Sequence, residues 1–382
     1  MKQDEIPIAF YCSSISWGGL EMNTLRYAQW MAERGWNVKL YCVQDSPLHK
    51  QALSSIITIR IVNRNRKYLD FTNAQRIKKI FYKDGIKLCW FRDTRDSELL
   101  GIAKFLSGGS FKLLYQQAMQ LGVSKKDLFH HLRFKQVDRW ISTLHFLADQ
   151  VKTFTTVDPK KIHVVPLGVD DKNFGTTNHN KQESLAFFDL ALGVQYAGVI
   201  GRIDFLKGQH VAIEALSKIH QRGIKLHLLI VGESTLNENN DYEKSLHSMV
   251  FDLGLKEYVH FKPFTNTVTH FYNAIDFFWL CSKGETFGTV TIEAMASSKP
   301  IIGTDSSGTP EILDFGKAGL LYPPMDSKVL AEKTIILVND KRKTENLMAT
   351  ARQRFVENYS KERSLIKLEK IIIQLFENKI EM

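Results

Sequence analysis

Short, mostly apolar runs recur along the chain, and the stretches between them carry apolar residues three or four positions apart. Runs at 8–12, 38–43, 57–62, 87–91, 112–115 and 140–143 predict strands in the first half of the chain. Runs at 195–200, 225–231, 259–261, 277–280 and 300–303 predict strands in the second. Between the first two runs, Leu20, Thr24, Tyr27, Ala28 and Met31 mark a helix over 20–34 that Gly35 ends. Such alternation predicts parallel sheets covered by helices on both faces. From 171 to 184 the chain is polar, turn-rich and aperiodic, as a linker is. The expected architecture is therefore α/β, with two doubly wound domains at 1–170 and 191–360 around a linker at 171–190. A C-terminal helix at 361–382 is expected to pack back on the first domain. Sheets of this kind bind ligands beyond the carboxyl ends of their strands, so two facing sheets would enclose a cleft.

The length of 382 residues supports two cores rather than one. No apolar run is long enough to cross a bilayer, and the acidic start Met1-Lys2-Gln3-Asp4-Glu5 lacks the layout of a signal peptide. Cys12, Cys42, Cys89 and Cys281 lie far apart in apolar runs, which predicts buried free thiols in a reducing cytoplasm rather than disulfides or a metal site. A net charge of +10 suits an anionic partner: a nucleotide, a nucleic acid or an anionic membrane face.

Four loops carry candidate chemistry. Gly201 to Gly208 sets Arg202 and Lys207 five residues apart between a strand and a helix, which suits a diphosphate; two solvated charges in a surface loop are the alternative. Gly284 to Ala296 sets Glu285 just outside a helix starting near Gly288, and Glu293 inside it, about 8 Å apart. Carboxylates there suit paired hydroxyls, and Glu293 in an apolar helix needs a partner; a capping and a solvated glutamate are the alternative. Gly303 to Glu311 is a small-residue turn, either a close approach for a nucleotide or only a tight turn. Trp17-Gly18-Gly19-Leu20-Glu21 opens a helix after the first strand, as an amide-rich ligand contact or only a turn.

In order and spacing these elements resemble family 4 of the retaining glycosyltransferases. The resemblance covers nearly the whole chain, including the run 164–170, the stretch 229–232, Pro310-Glu311 and the stretch 319–324. It implies the GT-B fold, two Rossmann-like domains facing a cleft, and transfer of a sugar from a nucleotide-diphosphate donor with retention. Arg202 and Lys207 would hold the diphosphate, Glu285 the transferred sugar and Glu293 the ribose. Phe287, Gly288 and Thr289 would offer backbone amides, and Gly18 and Gly19 would complete the donor site. Many members carry a histidine after a middle strand of the first domain. This chain has Gln116 and Gln117 there, which with Glu21 are the candidates on the acceptor side.

No Asp-x-Asp motif suggests a divalent ion, so no metal or cofactor is expected. The expected partners are a nucleotide sugar and a glycan or lipid-linked envelope acceptor. A GT-B nucleotide-sugar epimerase is the enzymatic rival, told apart by turnover of donor alone. A basic nucleic-acid-binding protein is the other rival, but basic residues interleaved with stacking aromatics are missing. Between Arg60 and Lys87 stand nine basic residues, Lys67 among them, and two acids. Ala74, Ile77, Ile80 and Phe81 fall on one helical face, with Arg76, Lys79 and Lys83 beside it. That pattern fits a helix lying on an anionic membrane at the cytoplasmic face, or one packed on a sheet with its cations solvated.

Overall fold

The computed structural model describes residues 5–66, 70–174, 180–234 and 241–377. The chain forms two compact units, one of Met1–Pro166 with Leu365–Met382 and one of Leu167–Ser364. In the first, β1 (Ile8–Cys12), β2 (Val38–Val43), β3 (Thr58–Val62), β4 (Leu88–Phe91), β5 (Lys112–Gln116), β6 (Arg139–Ser142) and β7 (Ile162–Val164) form one sheet. Their order is β3-β2-β1-β4-β5-β6-β7. Every pairing is parallel, with Ile8 of β1 opposite Val38 on one side and Leu88 on the other. All five residues of β1 are buried, as a strand covered on both faces requires. The order reverses between β1 and β4, where successive loops diverge and leave a crevice.

The second unit repeats the plan. Here β8 (Gln195–Ile200), β9 (Leu226–Val231), β10 (Val259–Lys262), β11 (Phe277–Leu280), β12 (Ile301–Thr304) and β13 (Leu320–Tyr322) are ordered β10-β9-β8-β11-β12-β13. The reversal falls between β8 and β11. Both units are thus Rossmann-like, and the four cysteines are buried and free.

Two boundaries differ from the sequence reading. Residues 167–170 belong to the second unit, because Val169 donates to the Tyr359 carbonyl and accepts from the Lys361 amide at 2.9 and 2.8 Å. Gly168 lies so close there that a Cβ would come within 2.9 Å of the Lys361 Cα. The expected linker also contains a helix, Lys181–Phe187, whose start is a capping box: Asn180 accepts from the Glu183 amide, and Glu183 from the Asn180 amide. Phe187 stacks on His270 at 4.2 Å. Residues 175–179 of that linker lie outside the described residues.

The helix Lys361–Glu377 joins the first unit from Leu365 onward. Within that unit, the Arg34 guanidinium donates to both Glu369 carboxylate oxygens at 2.8 Å, and the Trp36 indole donates at 2.9 Å.

The helix Phe71–Lys83 buries Ala74, Ile77 and Phe81 in the core around Tyr41 and Phe111, so its apolar face is covered. Arg76, Lys79 and Lys83 stay exposed, and Lys67 lies outside the described residues. Asp84, at the end of this helix, accepts from the Tyr41 hydroxyl at 2.7 Å and from Arg60 at 2.9 Å, with Lys39 at 3.5 Å. Burial alone would raise its pKa, but those hydrogen bonds and charges outweigh it and bring the carboxyl down to about 2. A carboxyl lowered in the folded state stabilises fully above its ordinary value near ~4, and that stabilisation is lost as pH falls toward the folded value. Asp84→Asn should cost about 1–2 kcal/mol at neutral pH in urea unfolding. The deficit relative to the unsubstituted protein should shrink between pH ~4 and ~2. A deficit independent of pH across that window would contradict the account.

Candidate active site in the second unit

The loops that leave β8 and β11 meet at the sheet's reversal point. After β8 the chain runs through Gly201 to Gly208 into the helix Gln209–Gln221. Gly208 has φ +73°, and a Cβ there would lie 2.2 Å from the Cys281 carbonyl oxygen just beyond β11. Only glycine fits both the left-handed backbone and that contact. The loops are also tied by the Lys283 amide, which donates to the Leu206 carbonyl at 2.8 Å. On the other side, Gly232 packs on Gly201, where a Cβ would sit 1.9 Å from its carbonyl oxygen. Three glycines therefore seat the loop between the ends of β9 and β11.

This seating brings together two residues 78 positions apart. The Lys207 ammonium donates to the Glu285 carboxylate at 2.8 Å, with a third of the lysine and a fifth of the glutamate side chain exposed. A half-exposed pair of this kind adds under about 1 kcal/mol to stability, so its main effect is to fix where the two side chains point. Arg202, more than half exposed, lies 3.5 Å from Asp204, and its carbonyl accepts from the Gln209 carboxamide at 2.9 Å. The start of the following helix is partly occupied by the protein itself: the His210 amide donates to the Tyr242 hydroxyl and the Val211 amide to the Gly208 carbonyl. An anion here would rest mainly on the two side-chain cations.

After β11, Gly288 caps the helix Thr289–Ala296 in the left-handed conformation, φ +70°. No side chain caps that helix start. Phe287 is buried, edge-on to Tyr359, while Thr289 is half-buried. Glu293 is only 9% exposed, and one of its partners is a residue that the sequence reading missed. The fully buried Tyr272 hydroxyl donates to the Glu293 carboxylate at 2.9 Å. Burial first, and then the neighbouring carboxylate, push the Tyr272 phenol well above its ordinary value, so it stays a donor. Tyr272 gives no signal in the sequence beyond being an aromatic in an amphipathic helix. The turn after β12 packs against the same loop, the Gly308 amide donating to the Glu285 carbonyl at 3.1 Å.

The first-unit candidates are placed differently. Gly18 and Gly19 start the helix Gly19–Glu33, and Glu21 in its first turn is buried. Gln116 and Gln117 are buried too, at 0% and 1% exposure. The Gln116 carbonyl accepts from the Trp90 indole and from Arg92 at 3.2 and 2.9 Å. That of Gln117 accepts from the Trp140 indole and the Ser142 hydroxyl at 3.2 and 2.9 Å. Through these oxygens the two carboxamides tie β4, β5 and β6 together inside the unit.

Residues 181–354 match the family model described as "Glycosyl transferases group 1", and residues 17–173 match "Glycosyltransferase Family 4". A D-inositol 3-phosphate glycosyltransferase of Jonesia denitrificans is 30% identical over 218 residues, covering 54% of this chain and 50% of that relative. The chain thus spans about half the length of that relative. A glycosyltransferase of Rickettsia africae superposes with a TM-score of 0.87 at 20% identity, over 98% of this chain and 99% of that one. Anabaena HepE in complex with UDP superposes at 0.85 and 20% identity, over 97% and 100%.

Gly208→Ala tests the seating of the loop. It should lower the unfolding free energy by about 2 kcal/mol or more, read as an earlier urea midpoint. Gly193→Ala also replaces a left-handed glycine but meets nothing within 4 Å, so its smaller loss isolates the strain common to both. Equal losses would show that the contact with Cys281 is unimportant.

Proposed function

The chain belongs to glycosyltransferase family 4, and from that premise we propose that it transfers a sugar from a nucleotide-diphosphate donor to a glycan or lipid-linked envelope acceptor. The observation that carries the reading is the junction of Lys207 and Glu285 at the reversal point of the second sheet. A cation for the leaving diphosphate and a carboxylate for the sugar hydroxyls there stand side by side. The UDP held by the Anabaena relative supports a uridine nucleotide as the donor.

In the proposed reaction the acceptor hydroxyl oxygen forms a bond to the anomeric carbon. The bond from that carbon to the phosphate oxygen breaks, and its electron pair leaves with the nucleoside diphosphate. The hydroxyl proton passes to the departing phosphate, and attack from the leaving-group face retains the anomeric configuration. Negative charge grows on the diphosphate during this step. Arg202 and Lys207 stabilise that charge more strongly in the transition state than in the ground state. We infer that they do so without a divalent ion, so turnover should survive EDTA. Glu285 holds the transferred sugar, Glu293 oriented by Tyr272 holds the ribose, and amides of Phe287, Gly288 and Thr289 line the same face.

We also infer that the enzyme acts at the cytoplasmic face of an anionic membrane. Among the described residues no helix is long and apolar enough to cross a membrane. Contact would run through the exposed Arg76, Lys79 and Lys83, each contributing about 1 kcal/mol near anionic lipid. In cosedimentation, binding should require anionic vesicles, weaken with salt and fall when the three cations become glutamine. Equal recovery with neutral vesicles would contradict this.

Arg202→Ala should reduce turnover by roughly 10²-fold or more with an unchanged melting temperature. Glu293→Ala should weaken binding of the bare nucleoside diphosphate. Glu285→Ala should leave that affinity nearly intact and impair transfer. Titration calorimetry with UDP, paired with a donor-consumption assay, separates the two; identical behaviour of both glutamate variants would overturn their assignment.

A further inference from the structure

The central loops of the first unit are gathered on one buried carboxyl. Asp96, at 0% exposure, is the first residue of the helix Asp96–Leu106 that follows β4. Its Oδ1 accepts from the Ser13 hydroxyl at 2.5 Å and from the Asn65 carboxamide at 2.6 Å. Its Oδ2 accepts from the Ser13 amide at 3.2 Å. Ser13 opens the loop after β1, and Asn65 stands in the loop after β3. The Tyr11 hydroxyl donates to the Asn65 Oδ1 at 3.3 Å, which turns the amide nitrogen of Asn65 toward Asp96. One side chain thus ties together three loops at the carboxyl ends of β1, β3 and β4, where the strand order reverses. The same loops line a cavity of about 730 Å³, to which Arg64, Arg66, Lys125 and Arg133 give a positive lining.

The carboxyl meets three donors, an arrangement that suits its ionised form. A proton on Oδ1 competes with the two donors already there. A proton on Oδ2 confronts an amide N–H that cannot turn away unless the loop moves. The surroundings nevertheless resist ionisation. Burial first, and then the neighbouring Asp93 carboxylate, push the Asp96 carboxyl up to about 7, against the hydrogen bonds from Ser13 and the charge of Arg95. Arg95 is itself held by Asp93, to which its Nε donates at 2.8 Å. Arg133 also faces Asp96, as do Tyr11, Cys12 and Cys89, which burial raises above their ordinary values and keeps neutral. A carboxyl raised in the folded state makes folding less favourable as pH rises from its ordinary value of about 4 to its folded value. The protein therefore gives up stability to hold a charge at this point.

We propose that Asp96 is a positioning residue for the loop 13–18, and that uptake of one proton by its carboxyl releases this loop and slows sugar transfer. The loop leads into the helix Gly19–Glu33 and stands at the end of the sheet where such folds bind ligands. Its effect on transfer rests on the glycosyltransferase reading above, whereas its release by a proton does not.

Trp17 lies in this loop and is 39% exposed, while the other five tryptophans are buried. Acrylamide quenching of tryptophan fluorescence in the full chain therefore reports the loop. Quenching should fall as pH rises between ~6 and ~8, and Trp17→Phe should remove that change. Asp96→Asn, which keeps a neutral side chain there, should quench at every pH like the unsubstituted chain at the acid end. Asn65→Ala removes one donor to the ionised form, so its midpoint should move up by roughly one pH unit. UDP-glucose consumption should quicken through the same window in the unsubstituted chain. Asp96→Asn should flatten that profile while leaving UDP affinity unchanged. Quenching that does not change with pH, a change that survives Trp17→Phe or Asp96→Asn, or an unshifted midpoint in Asn65→Ala would overturn the proton-released loop. A pH profile of consumption that Asp96→Asn leaves unaltered would overturn its role in transfer. A chain that does not consume UDP-glucose would count against the transferase reading, and the quenching titration would still decide the loop.

Discussion

The contact between Lys207 and Glu285 is possible only because two loops on neighbouring strands are held at backbone distance. Gly208 against the Cys281 carbonyl fixes that distance, and Gly232 against Gly201 fixes the other side of the same loop. The ion pair itself stabilises little, being half-exposed. Its value is positional: each side chain restricts the other, so a cation and a carboxylate stand at the sheet's reversal point before any ligand arrives. Preorganised charge of this kind needs no rearrangement when a leaving group becomes more negative.

A second constraint acts one turn deeper. Glu293 lies in an apolar helix and is nearly buried, a placement that an unpartnered carboxylate does not tolerate. The Tyr272 hydroxyl supplies one hydrogen bond to it from a helix outside the motif. The two units also divide their polar chemistry differently. In the first, the carboxamide oxygens of Gln116 and Gln117 at the end of β5 accept from two indoles and Arg92 in the core, and the open polar surface lies in the cationic cavity above β1, β3 and β4.

The alternation of strands and helices was legible because buried parallel strands read as apolar runs bounded by turns. The two strands that escaped, β7 and β13, are three residues each and only partly buried, too short to show a pattern. The loop glycines and the charges at 202, 207, 285 and 293 were legible from spacing, since both loops follow strands directly. The pairing of Lys207 with Glu285 was not, because register between strands 78 residues apart is a property of the sheet order. The indole partners of Gln116 and Gln117 were hidden for a related reason, since Trp90 and Trp140 come from neighbouring strands. The helix at 181–187 was hidden inside a polar segment, where only the Asn180–Glu183 capping pair marks its start. Arg64 and Arg66 were visible as part of a basic stretch, but their convergence with Lys125 and Arg133 depends on loops from separate strands.

The central claim is that Lys207 serves the diphosphate and that Glu285 restrains it until a ligand arrives. A double-mutant cycle on UDP affinity, using Lys207→Met, Glu285→Gln and the combined variant, measures this directly. The account predicts that Lys207→Met weakens UDP by roughly tenfold or more, as expected for loss of a charge-assisted contact. Glu285→Gln should leave affinity unchanged or tighten it, since the lysine loses its competing carboxylate. The combined variant should match Lys207→Met alone. If Lys207→Met binds UDP like the unsubstituted protein, or Glu285→Gln weakens binding as much as loss of the lysine does, the proposed donor clamp is wrong.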